Sequence, residues 1–370
     1  MERIYYMKKI IFLLAIICSS TLFAQTTNLK KMKTIKADSV RVDIRDGNVL
    51  YEKAWRIAPS EKPDVYKTNS NQVTFITNRD SITFNIVPDK IYDFVILIGK
   101  DSAWTQIQYA PSYLEILRKA GKYQKENTEN FPKFTYQSSD NWNLKNVRET
   151  FNLDSIAGNS DEMSKILNLL HWVHNNVRHD GTNFGNCEYD AIDLYNYNKA
   201  TGKGINCRNL ATLLNECYLA IGIPSRFVVC LPQDSTDQDC HVINSVYSKT
   251  LKKWIWIDPT NNAYVKDENG NFLGIGEVRE RLIDGRPVVL NEDANWNNEQ
   301  KQTKEDYLDR YMAKNLYWLQ CPINSKFNTE SHYRNNGEIY ISLIPTDFKP
   351  FGHNLDVVIT DPDYFWQAPN

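Results

Sequence analysis

Cys207 is the residue of this 370-residue chain whose surroundings best suit a nucleophile. It follows a loop with two glycines and precedes an apolar pattern of helical period. Asn206 is a good N-cap residue, and Gly222 suits the end of the same helix. Cys207 is therefore predicted in the first helical turn, where unpaired N–H groups and the helix dipole favour a thiolate and can stabilise an oxyanion. Cys217, in mid-helix, is interpreted as a small buried hydrophobe.

A cysteine nucleophile needs a base and a group that orients the base. His241 opens an alternating strand pattern, and Asp258 follows the apolar run Trp254–Ile257. Two antiparallel strands joined by a short turn would bring both side chains to the same end of the pair. We expect Asp258 to accept the Nδ1–H of His241. Alone, the histidine would be structural and the aspartate part of a turn; together with Cys207 they predict a nucleophile, a base and an orienter.

Three more histidines, His171, His174 and His179, raise the question of a metal site. Apolar residues recurring at three- and four-residue intervals predict a helix that starts after Asp161. The first two histidines share a face of this helix, and His179 falls at its exit. No carboxylate completes a tight set of ligands, so polar positions on the helix are favoured. No metal or cofactor is predicted.

The elements before this region have a different period. Between about residues 39 and 107, short runs alternate apolar and polar side chains, and turn residues separate them. This spacing is typical of a β-sandwich-like domain. The predicted strands cover residues 40–44, 73–76, 82–86 and 92–99.

Composition and charge exclude several classes of protein. A hydrophobic content of 42% in a chain of this length supports a substantial core and excludes wholesale disorder. The chain has 43 Lys+Arg against 45 Asp+Glu, a net charge of −2. Without a basic excess, nothing supports nucleic-acid binding.

The N-terminus resembles a secretory signal peptide. Lys8 and Lys9 precede the apolar run Ile10–Cys18, and small residues lead to Ala24. The run is shorter than the ~20 apolar residues of a membrane-spanning helix. Cleavage after Ala24 and export to the periplasm or the extracellular space are predicted, with no transmembrane span. Bulky residues before Cys18 argue against a lipid anchor.

Six cysteines would remain after cleavage. Oxidising compartments favour pairing, but the spacing indicates neither a disulfide framework nor a zinc site. We predict that any disulfide joins members of the set Cys187, Cys230, Cys240 and Cys321, and that Cys207 stays free.

The order of these motifs resembles the core of the transglutaminase-like superfamily over about residues 160–275. The motifs are Gly-x-x-Cys, a helix ending in Gly-Ile-Pro-x-Arg, a histidine that opens a strand, and Trp-x-x-x-Asp-Pro-Thr. Residues 267–318 are similar to secreted bacterial members of the Bacteroidetes type. The resemblance implies a papain-like fold with a catalytic triad of Cys207, His241 and Asp258. Val242-Ile243 replaces the frequent Ala-Trp of the family, and Cys240 is an unusual neighbour.

The superfamily takes a second oxyanion donor from upstream of the nucleophile. Asn183, Asn186 and Tyr195 are the candidates in this sequence.

The predicted fold class is α+β, with the cysteine-bearing helix packed on an antiparallel sheet. The predicted organisation is a signal peptide (1–24), a β-sandwich-like domain (25–110), a helix-containing connector (111–159), a catalytic core (160–275) and a C-terminal extension (276–370). The extension is expected to hold a helix near 305–319 and strands near 338–344 and 355–359.

The resemblance implies acyl transfer through a thioester, with polypeptide or glycopeptide amides as substrates. Hydrolysis, as in a peptidase or amidase, is favoured. Transfer to a lysine amine, which would make the protein a cross-linker, is the alternative. A catalytically inactive module that binds glycans or proteins is the alternative of another class. The sequence does not specify the oligomeric state.

Overall fold

The computed structural model describes residues 32–60, 62–330, 337–352 and 355–369. The predicted signal peptide and Cys18 lie outside these residues. No helix within the described ranges is long and apolar enough to span a membrane. The chain divides into two compact units between Ser112 and Tyr113. The finer domain boundaries stay predictions.

The N-terminal unit consists of two four-stranded sheets. Its strands are β1 (Lys33–Ala37), β2 (Arg41–Asp46), β3 (Val49–Arg56), β4 (Asp64–Thr68), β5 (Gln72–Ile76), β6 (Ser81–Asn85), β7 (Ile91–Ile98) and β8 (Asp101–Tyr109). The sheet orders are β1-β7-β8-β4 and β3-β2-β5-β6. Apolar side chains of both sheets, among them Phe75 and Phe94, form one core because alternate residues of each strand face inward. The strand-rich N-terminal region predicted from the sequence is confirmed.

The second unit mixes helices with sheets. Its helices are α1 (Tyr113–Arg118), α2 (Trp142–Thr150), α3 (Leu153–Ala157), α4 (Glu162–Asn176), α5 (Ala191–Thr201), α6 (Cys207–Ala220), α7 (Ile275–Asp284), a π-helix (Glu305–Met312), α8 (Ala313–Asn315) and α9 (Pro362–Phe365). Its longer strands are β10 (Ser225–Leu231), β11 (His241–Ser248), β12 (Lys253–Ile257), β17 (Trp318–Pro322), β19 (Tyr340–Leu343) and β20 (Val357–Ile359). Two-residue strands are β9 (Thr135–Tyr136), β13 (Val265–Lys266), β14 (Val289–Leu290), β15 (Asn295–Trp296), β16 (Gln300–Lys301) and β18 (Asn324–Ser325).

A six-stranded sheet of order β12-β11-β10-β17-β19-β20 carries the second unit. Its pairs are antiparallel except for the parallel edge pair β19–β20. Helix α6 lies on this sheet and shares a core with α4 and with β11 and β12, through side chains such as Leu213, Leu170 and Ile255. The α+β fold with a cysteine-bearing helix on a largely antiparallel sheet is as predicted.

The predicted helix near 305–319 was wrong in length and type. It begins as a π-helix and ends at Asn315, and Trp318 then opens β17, which pairs with β10 beside it. Trp318 and Leu319 are both buried. Because a central strand buries both faces, its continuous apolar run cannot be distinguished from the buried face of a helix by periodicity alone.

Candidate active site

Cys207 is the first residue of α6. The Asn206 side chain caps the helix by accepting the N–H of Asn209 at 2.9 Å, as its N-cap chemistry predicted. The loop before it runs close to His179 and Asp180, which follow α4. A Cβ on Gly204 would lie 2.7 Å from the carbonyl carbon of His179, so only glycine fits there. The cysteine is thereby held at a helix N-terminus, where backbone N–H groups point outward.

His241 and Asp258 meet across neighbouring strands. Asn244 of β11 pairs with Ile257 of β12, so His241 and Asp258 lie diagonally at the same end of the pair. His241 Nε2 lies 2.8 Å from Asp258 Oδ2, and both side chains are buried. The sequence-based expectation of Nδ1 as the contact atom was wrong. Asp258 directly follows β12, and Nε2 is the ring nitrogen that reaches it.

Asp258 accepts several hydrogen bonds besides that of His241. Tyr307 Oη donates to Oδ2 at 2.6 Å and Asn261 Nδ2 donates to the same oxygen at 3.0 Å. The backbone N–H of Thr260 donates to Oδ1 at 2.8 Å. Burial alone would raise the pKa of Asp258, but the charge of His241 and these hydrogen bonds lower it to about 2. The carboxylate therefore stays ionised at neutral pH.

The Cys207 thiol and the His241 imidazole have opposite pKa shifts. Burial raises the pKa of Cys207, but hydrogen bonds from His179 and His241 outweigh it and lower the pKa to about 6. Burial lowers the pKa of His241, but the Asp258 charge and its hydrogen bond outweigh it and raise the pKa to about 10. Between these two values, a thiolate faces an imidazolium. Since Nε2 of His241 bonds Asp258, Nδ1 is the nitrogen left for Cys207.

Sequence reasoning missed two residues of this cluster. His179, interpreted as a polar residue at a helix exit, lies close enough to Cys207 to lower the pKa of its thiol. Tyr307, in the C-terminal extension, binds Asp258. The one signal for Tyr307 was a π-helix, a form frequent at functional sites, but a π-helix is not readable from residue spacing.

The three residues that the sequence offered as a second oxyanion donor have other surroundings. Asn183 donates from Nδ2 to the carbonyl oxygen of Gly204 at 2.6 Å, which holds the loop before Cys207. Asn186 is exposed in the loop before α5. Tyr195 stacks on Trp172 with ring centroids 5.6 Å apart. None of these contacts places the three residues as donors to Cys207.

His171 and His174 are held by structural hydrogen bonds. His171 Nδ1 lies 2.7 Å from Asn262 Oδ1. His174 is buried, with Nδ1 2.9 Å from the carbonyl oxygen of Pro259 and Nε2 2.9 Å from Asn295 Oδ1. Both histidines thus fasten α4 to the segments that follow Asp258.

All six cysteines of the described residues are free thiols. Burial raises the pKa of Cys187 and of Cys321 to about 11 and raises those of Cys217 and Cys230 well above the ordinary thiol value. Cys240, half-buried beside the histidine, also has a raised pKa because of burial and the neighbouring Cys207. Cys207 alone among these thiols has a lowered pKa.

Comparison with known proteins places this geometry in a class. A family model of the transglutaminase-like superfamily matches residues 149–259, the segment that contains Cys207, His241 and Asp258. The chain therefore contains a transglutaminase-like domain. None of the curated proteins matches the chain by sequence.

Three solved structures are similar to parts of the chain. A candidate cysteine protease from Cytophaga hutchinsonii is 18% identical, with 40% of this chain and 46% of that chain covered and a TM-score of 0.25. A structure described as a TGase is 17% identical, with 46% and 44% covered and a TM-score of 0.22. Red sea bream transglutaminase is 12% identical, with 65% and 51% covered and a TM-score of 0.23. The chain thus spans about half the length of each structure.

Proposed function

We propose that the protein is an exported, cysteine-dependent acyl-transfer enzyme that attacks amide bonds of polypeptides or glycopeptides. The observation that carries the proposal is one continuous set of contacts. The His241 imidazole lies close enough to Cys207, at the start of α6, to lower the pKa of its thiol, and His241 Nε2 lies 2.8 Å from the buried carboxylate of Asp258. A nucleophile, a base and an orienting group in this order form a catalytic triad.

In the first half of the reaction, the Cys207 thiolate attacks the carbonyl carbon of the amide. A sulfur–carbon bond forms, and the carbonyl π electrons move to the oxygen. The backbone N–H groups at the start of α6 stabilise that oxyanion. The intermediate collapses with cleavage of the carbon–nitrogen bond, and His241 gives its proton to the leaving amine. The product is a thioester on Cys207 with a neutral His241.

In the second half, water resolves the thioester. His241 takes a proton from the water, the resulting hydroxide adds to the thioester carbon, and the Cys207 thiolate leaves. The choice of water rests on the similarity of residues 267–318 to secreted bacterial members of the superfamily. An amine in place of water would give an isopeptide cross-link by the same steps. Export rests on the signal-peptide pattern of residues 1–24.

The test compares the products of the protein and of Cys207→Ala on a mixture of bacterial envelope and secreted polypeptides. We expect new peptide termini, found by mass spectrometry, with the active protein only. Cross-linked lysine side chains instead of new termini would overturn hydrolysis and keep acyl transfer. The absence of both would refute an enzyme and favour a binding module. Cys187→Ala, which removes a half-buried thiol with a raised pKa, is the matched control and should act as wild type.

A further inference from the structure

His179 is fixed by a hairpin that lies outside the family match. The β15–β16 hairpin supplies Trp296, whose Nε1–H donates to His179 Nδ1 at 2.9 Å. The adjacent Asn297 accepts the backbone N–H of His179 at 2.8 Å and donates to its carbonyl oxygen at 3.0 Å. His179 also forms a backbone bridge with Ile205, two residues before the nucleophile. Both its main chain and one ring nitrogen are therefore held in place beside Cys207.

The contact with Trp296 determines which ring nitrogen carries the proton. An indole N–H is a donor only, so His179 Nδ1 must offer its lone pair. The ring proton is then on Nε2, the nitrogen left to bond Cys207. The Arg178 guanidinium lies over the indole ring, 5.9 Å from its centroid. His179 thus presents a fixed N–H donor, whereas His241 is oriented by a carboxylate and works as an acid and a base.

We propose that His179 donates its Nε2–H to the oxyanion of the tetrahedral intermediate at Cys207, and that Trp296 is the positioning residue that fixes this tautomer. This inference rests on the proposed acyl-transfer function. The oxyanion is bonded to the carbon that Cys207 Sγ has attacked. The backbone bridge to Ile205 holds His179 beside Cys207, so its N–H is near the position of that oxygen. The side chain would complete the oxyanion hole with the backbone N–H of Cys207. No proton moves to the oxygen in this step.

Two reagents separate this role from a merely structural one. Iodoacetamide alkylates the thiolate by direct displacement and forms no oxyanion. p-Nitrophenyl acetate acylates it through a tetrahedral oxyanion. Both reactions use the thiolate. At one pH, the ratio of the acylation rate constant to the alkylation rate constant is therefore independent of the thiolate fraction. In His179→Leu we expect this ratio to fall ~10²-fold, the loss typical of one oxyanion donor.

His171→Leu removes a neighbouring histidine without a contact to Cys207 and should leave the ratio within about twofold, as expected for a site away from the chemistry. Trp296→Phe keeps an aromatic side chain but removes the N–H that bonds His179. A mixture of His179 tautomers then forms, and the ratio should fall several-fold. Trp142→Phe, on an exposed tryptophan, is its control. If His179→Leu does not fold, Trp296→Phe is compared with His179→Gln. Because glutamine keeps an N–H donor, this variant should have the higher ratio of the two.

A ratio unchanged in His179→Leu and in Trp296→Phe would overturn the inference, because both reagents would then respond to the thiolate alone. Absence of acylation in the wild type, relative to Cys207→Ala, would instead refute the proposed function itself. The two failures are therefore distinguishable in the same experiment.

Discussion

The two units of the chain differ in the polar side chains that they bury. In the described part of the N-terminal unit, Thr68 and Thr105 are the buried polar residues. The second unit buries ionisable side chains, among them those of Asp258, His241 and Glu216. Burying a charge costs several kcal/mol unless partners satisfy it, so such groups are rarely retained for stability alone. The contrast supports the proposal that the second unit carries the active site.

Each unit contains a hydrogen bond from a tyrosine to an aspartate, and the two bonds sharpen this comparison. In the sandwich, Tyr66 Oη donates to Asp46 Oδ2 at 2.8 Å, and the aspartate is partly exposed. In the second unit, Tyr307 Oη donates to Asp258 Oδ2 at 2.6 Å, and both are buried. The same two residue types thus form a half-buried contact in one unit and part of the candidate site in the other. Matched variants can therefore separate the contact from its setting.

The largest effect is expected at Asp258. In a serine triad, removal of the aspartate costs ~10⁴ in kcat; a preformed thiolate–imidazolium pair needs the orienter less, so Asp258→Asn should lower turnover ~10²-fold. The melting temperature should also fall, since the amide cannot accept all the hydrogen bonds of the buried carboxylate, so turnover is compared at a temperature at which both proteins are folded. Asp93→Asn is the control in the sandwich, where Asp93 accepts hydrogen bonds from Trp104 and Gln106. Full turnover in Asp258→Asn would reduce the triad to a Cys–His dyad.

Tyr307→Phe should have a smaller effect. The carboxylate loses one hydrogen bond but keeps those from His241 and Asn261. A hydrogen bond to a charged group contributes ~1.5–3 kcal/mol. We therefore expect a tenfold loss of turnover, which corresponds to about 1.4 kcal/mol in the activation free energy. Tyr66→Phe should leave turnover unchanged. Equal turnover in both variants would show that Tyr307 supports the fold only.

The smallest effect on the chemistry is expected from Phe75→Ala. Phe75 is fully buried in the sandwich core, and loss of a buried Phe side chain costs ~3–5 kcal/mol. The free energy of unfolding of the N-terminal unit should fall accordingly in denaturant titrations. The alkylation rate of Cys207 should stay within about twofold, as for additive, independent sites. A large loss of Cys207 reactivity would break the proposed division of labour between the units.

Local patterns predicted the helix that begins at Cys207. The cap at Asn206, the apolar face of α6 and Gly222, whose φ of +78° suits glycine, are all short-range signals. The approach of His241 to Asp258 was also predictable from the sequence, because a hairpin of adjacent strands fixes which strand ends meet. The structure differed in the ring nitrogen, which depends on the path of the side chain and not on residue spacing.

The supporting residues were not predictable in this way. Trp296 meets His179 across 117 residues, and Tyr307 meets Asp258 across 49. No period or local turn chemistry encodes such long-range contacts. They depend on how the C-terminal extension packs on the core, which one sequence does not reveal.

The pH dependence of Cys207 alkylation tests the central claim most directly. Below a pH of about 6 the thiol is protonated and reacts slowly; above it, the thiolate beside His241 reacts fully. We predict that iodoacetamide labelling, mapped by mass spectrometry, rises to half its maximum at a pH of about 6 and selects Cys207 over Cys187 and Cys240. A midpoint near the ordinary thiol value of ~8.5, or equal labelling of the other two thiols, would contradict the account.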